Sequence, residues 1–287
     1  MSTSHRVGVI GLGLMGTAIV ERLLAHEYVP HVWNRSRDKA EPLIARGAIW
    51  SNNPFTACER VIVSLYSSEV VEEVLLPLLG TVRAWQIVID TTTGDPDQSV
   101  VWERRLRERG ANYLDAPISG SSEQTRRGEA TVIVSGDREA FAACGDLWPI
   151  LGKSVFHVGG CGSAAKMKLV SNLVLGLNRA ALAEGLALAD VLGLEPNATL
   201  QVLQGSAAYS RQMDTKGRKM IENDFSPQAK LSQHLKDVRL ILQAATANGL
   251  TLELADTHRQ LLERAESLGC GELDNSAIIQ AVRSQHS

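Results

Sequence analysis

The sequence has few of the residues that mark specialised classes of protein. Its four cysteines are scattered along 287 residues, with no C-x-x-C pair and no histidine at a metal-ligand spacing. We therefore expect a reduced, cytoplasmic chain without a structural metal. The 9 prolines and 24 glycines form no low-complexity tract, and no internal repeat is visible.

An excess of charge and long hydrophobic runs are also missing. The net charge is -3 and the pI is about 6.2, without a basic tail, so neither nucleic acid nor an anionic membrane is an expected partner. The first apolar run, residues 7–10, is too short for the core of a signal peptide. No later run reaches transmembrane length without charges. A small molecule is the expected partner.

The pattern of the sequence changes near residue 162. Before this point short β-rich runs alternate with amphipathic helical runs, which predicts an α/β domain with a doubly wound, mostly parallel sheet over residues 1–162. The predicted strands are 6–10, 31–33, 61–65, 87–90, 113–116, 130–135 and 154–157. The predicted helices between them include 18–25, 70–79 and 97–109.

From residue 163 to residue 285 the pattern is helical throughout, which predicts an all-helical domain over residues 163–287. The predicted helices are 163–192, 198–204, 231–248, 252–268 and 275–282. The first of these is apolar on most sides, so we expect a long, buried helix that links the two domains.

A glycine-rich turn follows the first predicted strand. Gly11 permits a tight turn, Gly13 permits close approach of a pyrophosphate, and Gly16 permits packing of the next helix on the strand. The helix N-terminus would add free N–H groups for the phosphates. An ordinary glycine turn is the alternative, but the position at the first βα junction favours a dinucleotide. The predicted contacts are Gly11, Leu12, Gly13, Leu14, Met15 and Gly16.

The end of the second predicted strand indicates which dinucleotide is preferred. NAD-selective sites usually place a carboxylate here, whereas this chain has Asn34, Arg35 and Ser36. A guanidinium can bind a ribose 2′-phosphate with charge-assisted hydrogen bonds. We therefore predict that NADP is preferred and that NAD is possible. The alternative is that Arg35 is a solvated charge at a helix start.

Leu65, Tyr66 and Thr93 follow later strands, at the edge of the sheet where ligands bind. We predict that Leu65 and Tyr66 contact the cofactor, and that Thr93 contacts the cofactor or a hydroxyl of the substrate. Turn formation is an equally good explanation of the threonines at residues 91–93.

Three further segments, residues 115–120, 162–169 and 236–240, follow the glycine turn in a characteristic order. With it, they resemble the β-hydroxyacid dehydrogenase family, which includes 3-hydroxyisobutyrate dehydrogenases and glyoxylate/succinic semialdehyde reductases. The resemblance extends over nearly the whole chain and is greatest to the second branch. It implies a Rossmann-like first domain, a helical second domain like that of 6-phosphogluconate dehydrogenase, and a homodimer or homotetramer.

The resemblance also implies roles for single residues. Lys166 matches the catalytic lysine, which would donate a proton to the oxygen of a carbonyl as hydride reaches its carbon. Its helical line includes Val170, Leu173, Leu177 and Glu184, and a charge at the end of an apolar stripe is either functional or snorkelling. Lys168 is expected to be a surface charge.

Ser119 and Gly120 match residues that bind the substrate carboxylate, although a flexible turn is the alternative. The resemblance implies that Lys236 contacts cofactor and substrate, and that Asp237 binds substrate. A solvated Lys–Asp pair is the alternative for these two.

Two departures from the family pattern stand out. Many members have asparagine four residues after the catalytic lysine, where this chain has Val170, and Asn172 lies about 120° away around a helix. The segment 121–127 is also unusually polar, which predicts altered carboxylate binding or a longer, more polar substrate.

The sequence therefore predicts an NADP-dependent reductase of small aldehyde- or keto-acids that can also oxidise the matching hydroxyacid. One alternative is an imine reductase-like enzyme, although those proteins generally lack the lysine. A second is a non-catalytic NADP-binding scaffold.

Overall fold

The structure is a computed structural model that describes residues 5–284. The chain divides into two compact units between Lys168 and Leu169. Residue 285, the last of the predicted helical pattern, lies outside the described residues. No helix within residues 5–284 has the length and apolar character needed to span a membrane.

The first unit is built on a nine-stranded sheet. The strands are β1 Arg6–Ile10, β2 Val29–Trp33, β3 Ile49–Trp50, β4 Arg60–Val63, β5 Ile87–Asp90, β6 Asn112–Asp115, β7 Ile118–Ser119, β8 Thr131–Gly136 and β9 Ser154–His157. Their order is β3-β2-β1-β4-β5-β6-β8-β7, and β9 pairs with β8. The first six strands of this path are parallel, and β8 runs antiparallel to β6 and β7. The order reverses between β1 and β4, which is where such sheets bind ligands.

Helices lie between these strands, as the alternating pattern predicts. They are α1 Leu14–Ala25, α2 Glu41–Ile44, α3 Ser68–Leu75, α4 Pro96–Arg107, α5 Ser122–Arg126, α6 Arg138–Ala143 and α7 Trp148–Leu151. Short 3-10 segments occupy Arg37–Ala40, Pro54–Thr56 and Leu76–Thr81. Val9 and Ile10 belong to different apolar clusters, because successive side chains leave a strand on opposite faces. Both faces of the sheet are therefore buried, and the predicted doubly wound α/β fold is confirmed.

The second unit is helical. Helix α8, Ser163–Val191, begins in the first unit and continues into the second. The other helices are α9 Pro196–Gly205, α10 Arg218–Glu222, α11 Leu231–Ala247, α12 Glu253–Ala265 and α13 Ile278–Arg283, with a 3-10 segment at Asn275–Ala277 and π-helical segments at Met213–Gly217 and Glu266–Cys270. No strand occurs in the described part of this unit, and residues 230 and 274 form an isolated bridge.

The faces of α8 differ in part from the prediction. Val170 is 57% exposed and Val174 is 54% exposed, whereas Lys168, Asn172 and Arg179 are at most 5% exposed. Of the predicted apolar stripe, Val170 is exposed and Leu173 and Leu177 are half-buried, and part of the buried face is polar. The exposed residues, among them Lys166, Val170, Val174 and Leu188, fall mainly on one side of α8, and its other sides are buried or half-buried, as expected.

Candidate active site

The glycine turn after β1 has the geometry that a pyrophosphate needs. A Cβ atom at Gly11, whose φ is +98°, would lie 2.2 Å from the carbonyl oxygen of Ser64, and one at Gly16 would lie 1.9 Å from that of Gly11. Only glycine therefore fits at these two positions. A Cβ at Gly13 would meet nothing within 4 Å, so open space lies beside the backbone there. This open space fits the diphosphate of a dinucleotide.

The start of α1 supplies donors for the same group. Gly13 is the N-cap, it offers no capping side chain, and the first turn holds no acidic residue. The first N–H groups of α1 are thus available for phosphate oxygens. Leu14 is exposed, while Met15 is half-buried and accepts a hydrogen bond from Thr125 Oγ1 at 3.2 Å.

Asn34 connects this turn to the end of β2. Its Oδ1 accepts a hydrogen bond of 2.9 Å from the backbone N–H of Leu12, and its Nδ2 donates one of 2.9 Å to the carbonyl oxygen of Ser36. Arg35 is exposed and forms an ion pair with Glu73 at 2.9 Å. The guanidinium stands at the edge of the sheet but has an acidic neighbour that the sequence did not indicate.

The ends of β4 and β5 lie side by side. The N–H of Leu65 donates to Thr92 Oγ1 at 3.1 Å, and Thr91 Oγ1 donates to the carbonyl oxygen of Val63 at 2.8 Å. The two buried threonines thus stabilise the turns. Tyr66 is 49% exposed and Thr93 is half-buried, so their side chains remain accessible at this edge.

Ser119 and Gly120 lead from β7 into α5. Ser119 is half-buried and Gly120 is exposed. Ser121 caps α5 in a reciprocal capping box with Gln124, so a capped helix begins directly after Gly120.

The polar side chains of α5 are engaged locally. Glu123 pairs with Arg126 at 2.8 Å and with Arg127 at 2.9 Å, and Arg126 also pairs with Glu21 of α1 at 2.6 Å. These ion pairs weaken the expectation of a longer, more polar substrate.

Asp115 ties the substrate segment to the start of α8, a connection that the sequence did not indicate. Its Oδ2 accepts hydrogen bonds from the N–H of Ala165 at 2.8 Å and from Ser135 Oγ at 3.2 Å, and Ser135 Oγ accepts one from the N–H of Ala164 at 3.0 Å. Burial raises the pKa of Asp115 to about 7, against the hydrogen bond from Ala165 and with a contribution from Asp90.

The two lysines of α8 differ in exposure, opposite to the expectation. Lys166 is exposed, whereas Lys168 is 5% exposed, so the expectation that Lys168 is a surface charge is wrong. Asn172 is 4% exposed and follows Lys168 by four residues, which places both on one face of the helix. It is the lysine–asparagine spacing that the resemblance implies, and it was the signal for Lys168 in the sequence.

Lys236 and Asp237 form a polar cluster with Asn172 in the second unit. Lys236 Nζ lies 3.1 Å from Asp237 Oδ1, and Asn172 Nδ2 donates to Asp237 Oδ2 at 2.9 Å. The side chains of the ion pair are 17% and 8% exposed, so the alternative of a solvated pair is wrong. No cluster of three or more metal-ligand side chains occurs in the part of the chain that the structure describes.

The parallel sheet, the glycine turn at its switch point and the accessible edge beside it define a dinucleotide-binding protein. Comparison with known proteins specifies the class. Residues 6–159 match the NAD binding domain of 6-phosphogluconate dehydrogenase, and residues 162–282 match the NAD-binding domain of NADP-dependent 3-hydroxyisobutyrate dehydrogenase.

Several similar proteins extend over the full chain. Glyoxylate/succinic semialdehyde reductase 1 of Arabidopsis thaliana is 31% identical over 96% of this chain and 98% of its own. The 2-hydroxy-3-oxopropionate reductase of Escherichia coli K12 is 31% identical over 96% and 97%. The solved structure of Psf3 in complex with NADP+ and 2-OPP is 27% identical, covers 96% of this chain and 99% of that one, and has a TM-score of 0.89.

The chain belongs to the β-hydroxyacid dehydrogenase family and is 3-hydroxyisobutyrate dehydrogenase-like, as the sequence predicted. It is an NAD(P)-dependent oxidoreductase that acts on CH–OH or aldehyde groups.

Proposed function

We propose that this protein is an NADP-dependent reductase of small aldehyde- or keto-acids of the glyoxylate and succinic semialdehyde type, with oxidation of the matching hydroxyacid as the reverse reaction. The names of the similar reductases support the substrate class. The observation that carries the chemistry is the buried Lys168, one helical turn before the buried Asn172.

The cofactor preference rests on charge at the end of β2. Asn34, unlike a carboxylate, does not repel a 2′-phosphate, and its side chain is already engaged by Leu12 and Ser36. The exposed guanidinium of Arg35 can exchange Glu73 for the phosphate, because an exposed ion pair is weak. A dinucleotide whose diphosphate is bound at the glycine turn would supply or accept the hydride through its nicotinamide.

We assign the proton transfer to Lys168 in place of Lys166. As a carbonyl is reduced, negative charge grows on its oxygen, and an ammonium group can stabilise this charge and donate the proton. Such stabilisation is stronger away from bulk water. Lys168 is buried and Lys166 is exposed, so Lys168 meets this requirement.

We assign the substrate carboxylate to Ser119 and Gly120. The Ser119 hydroxyl and the neighbouring backbone N–H groups can accept a small carboxylate. Asp115 joins β6, just before this segment, to the first turn of α8, so it positions both the carboxylate site and the lysine helix. We also propose that Lys236 and Asp237 contribute to substrate and cofactor binding.

A steady-state screen tests the function. Glyoxylate, succinic semialdehyde, methylmalonate semialdehyde and tartronate semialdehyde are each assayed with NADPH and NADH, and a cyclic imine is included. We expect turnover of at least one of the four acids, with NADPH preferred. NADPH binding without turnover would support the scaffold instead, and turnover of the imine alone would support an imine reductase.

We propose further that the protein forms a homodimer or homotetramer. The support is the exposed apolar side chains of α8, with Leu188 57% exposed and Val191 65% exposed in addition to Val170 and Val174. Light scattering coupled to size exclusion measures the mass, and a mass of one chain would contradict the proposal.

A further inference from the structure

A glutamine of α5 lies against the residues assigned to the substrate carboxylate. Gln124 is the third residue of this helix, and its side chain reaches back to the segment before the helix. Its Oε1 accepts a hydrogen bond of 2.9 Å from the N–H of Ser121. A Cβ atom at Gly120 would lie 3.3 Å from the same oxygen. The amide of Gln124 therefore stands directly beside Gly120 and Ser121.

The orientation of this amide is fixed by its partner. A backbone N–H can only donate, so the atom of Gln124 that faces Ser121 is the oxygen and not the nitrogen. The N–H of Gln124 donates in turn to Ser121 Oγ at 3.2 Å, which completes the capping box. Because Nε2 shares one carbon atom with Oε1, it lies beside the same two residues.

The Nε2 group is an accessible donor that the protein does not use. It forms no hydrogen bond with a protein atom within residues 5–284. Gln124 is half-buried, and its Nε2 is not among the enclosed side-chain atoms that lack a partner. An oxygen atom of a ligand can therefore reach this nitrogen.

The capping box also changes what the backbone can offer to a carboxylate. The N–H of Ser121 already donates to Gln124, so a substrate cannot use it. An ionised carboxylate accepts several hydrogen bonds, whereas the hydroxyl of Ser119 can donate only one. The amide that occupies the N–H of Ser121 brings two N–H donors of its own to the same place.

The acidic neighbour of Gln124 does not oppose an anion here. Glu123 pairs with Arg126 at 2.8 Å and with Arg127 at 2.9 Å. Its negative charge is thus offset by two guanidinium groups, and the side chain that remains for a ligand is the neutral amide.

We propose that Gln124 is a further substrate-binding residue, whose Nε2 donates a hydrogen bond to the carboxylate that Ser119 also binds. This inference rests on the proposed function, because it assigns a second side-chain donor to the carboxylate site of that reaction. It gives the polar segment 121–127 a role in specificity: one backbone N–H is replaced by a side-chain amide that selects for a carboxylate.

The substitution Gln124→Glu separates binding from helix capping. Glutamate keeps an oxygen for the N–H of Ser121, so the capping box and the melting temperature should be preserved. The donor is replaced by a negatively charged oxygen, so KM for the best acid of the screen should rise about 10- to 100-fold. The matched control is Gln201→Glu, which adds the same charge to an exposed position of α9 and should leave KM unchanged. An unchanged KM in Gln124→Glu would overturn the proposal.

A binding measurement tests Gln124 without turnover. Glycolate, a small hydroxyacid, is titrated calorimetrically into the complexes of the wild type and of Gln124→Glu with NADPH, which cannot oxidise it. We expect the affinity for glycolate to fall about 10-fold or more in the variant. Equal affinities, or no binding to the wild type, would overturn the proposal. Failure of the proposed function is a separate result, in which the wild type turns over none of the four acids.

Discussion

Asn172 and Asp237 are joined by a buried hydrogen bond of 2.9 Å, and the same carboxylate holds Lys236 at 3.1 Å. Helices α8 and α11 of the second unit are thus linked through one acidic group. Because both partners of Asp237 are largely buried, its removal leaves an amide and a cation without their acceptor.

We therefore predict that Asp237→Ala lowers the free energy of unfolding by about 3 kcal/mol, the usual cost of breaking a buried ion pair by removing one partner. Urea denaturation of the wild type and of the variant measures this difference in the free energy of unfolding. The matched control is Asp256→Ala, which removes an exposed aspartate paired with Arg259 on α12 and should leave the stability almost unchanged. Equal losses in the two variants would contradict a buried role for Asp237.

Cofactor preference should follow Arg35. In Arg35→Asp we expect kcat/KM for NADPH to fall by about 10- to 100-fold relative to that for NADH, since a charge-assisted hydrogen bond is replaced by repulsion. Glu73→Gln should lower KM for NADPH by about twofold, because it removes the competing partner of Arg35. An unchanged ratio of the two efficiencies in Arg35→Asp would refute the assignment.

Substrate affinity should depend on Ser119 and not on its neighbour. Ser119→Ala is expected to raise KM for the carboxylate substrate by about 10-fold through loss of one hydrogen bond to a charged group. Ser121→Ala removes the N-cap of α5, so it should cost about 1 kcal/mol of stability while leaving KM unchanged. Steady-state kinetics of both variants measure KM. If KM of Ser119→Ala equalled that of the wild type, the assignment of Ser119 to the substrate carboxylate would be disproved.

Asp115 should impose a pH dependence on stability. Its folded-state pKa, about 7, lies above the ordinary value of 3.8, so the folded protein holds a proton that the unfolded chain releases. The stability contributed by this group is present at low pH and is lost as the pH rises from about 4 to about 7, on the order of 4 kcal/mol in total.

Asp115→Asn should remove this decline, because a neutral amide oxygen can still accept the two hydrogen bonds. Asp146 serves as the control, because the pKa of its carboxyl is shifted in the opposite direction. Burial opposes its ionisation, but hydrogen bonds from Arg60 and Tyr28 keep its pKa below the ordinary value, so its contribution is constant between pH 5 and 8. Urea denaturation at several pH values between 5 and 8 measures the free energy of unfolding. If this free energy falls with pH as steeply in Asp115→Asn as in the wild type, the prediction is refuted.

The first unit was largely predictable from the sequence. Strands β1, β5 and β9 begin and end at the predicted residues. For β1 and β5 the reason is that a buried parallel strand is a short apolar run between turn signals. Strands β3 and β7 have two residues each, too few to show a period. The glycine turn was predictable because a side chain at Gly11 or Gly16 would clash with backbone atoms, so only glycine can occupy these positions.

Helix α8 was less predictable for a physical reason. Apolar periodicity assigns the apolar face to the interior, yet Val170 and Val174 are exposed, while Lys168, Asn172 and Arg179 are buried. Polar residues on a buried face invert the usual pattern, so the periodicity gave no reason to move the assignment from Lys166, which the resemblance had matched, to Lys168. The contacts that bury Asp115 and Asp237 join residues far apart in the sequence, and no local pattern shows them.

The assignment of the proton donor is tested most directly by a pair of substitutions on α8. Lys168→Met and Lys166→Met are compared by kcat on the best substrate of the screen and by Kd for NADPH from fluorescence titration. We predict that Lys168→Met loses about 100-fold or more in kcat with Kd nearly unchanged, and that Lys166→Met keeps kcat within about threefold. A large loss of kcat in Lys166→Met together with normal turnover in Lys168→Met would contradict it.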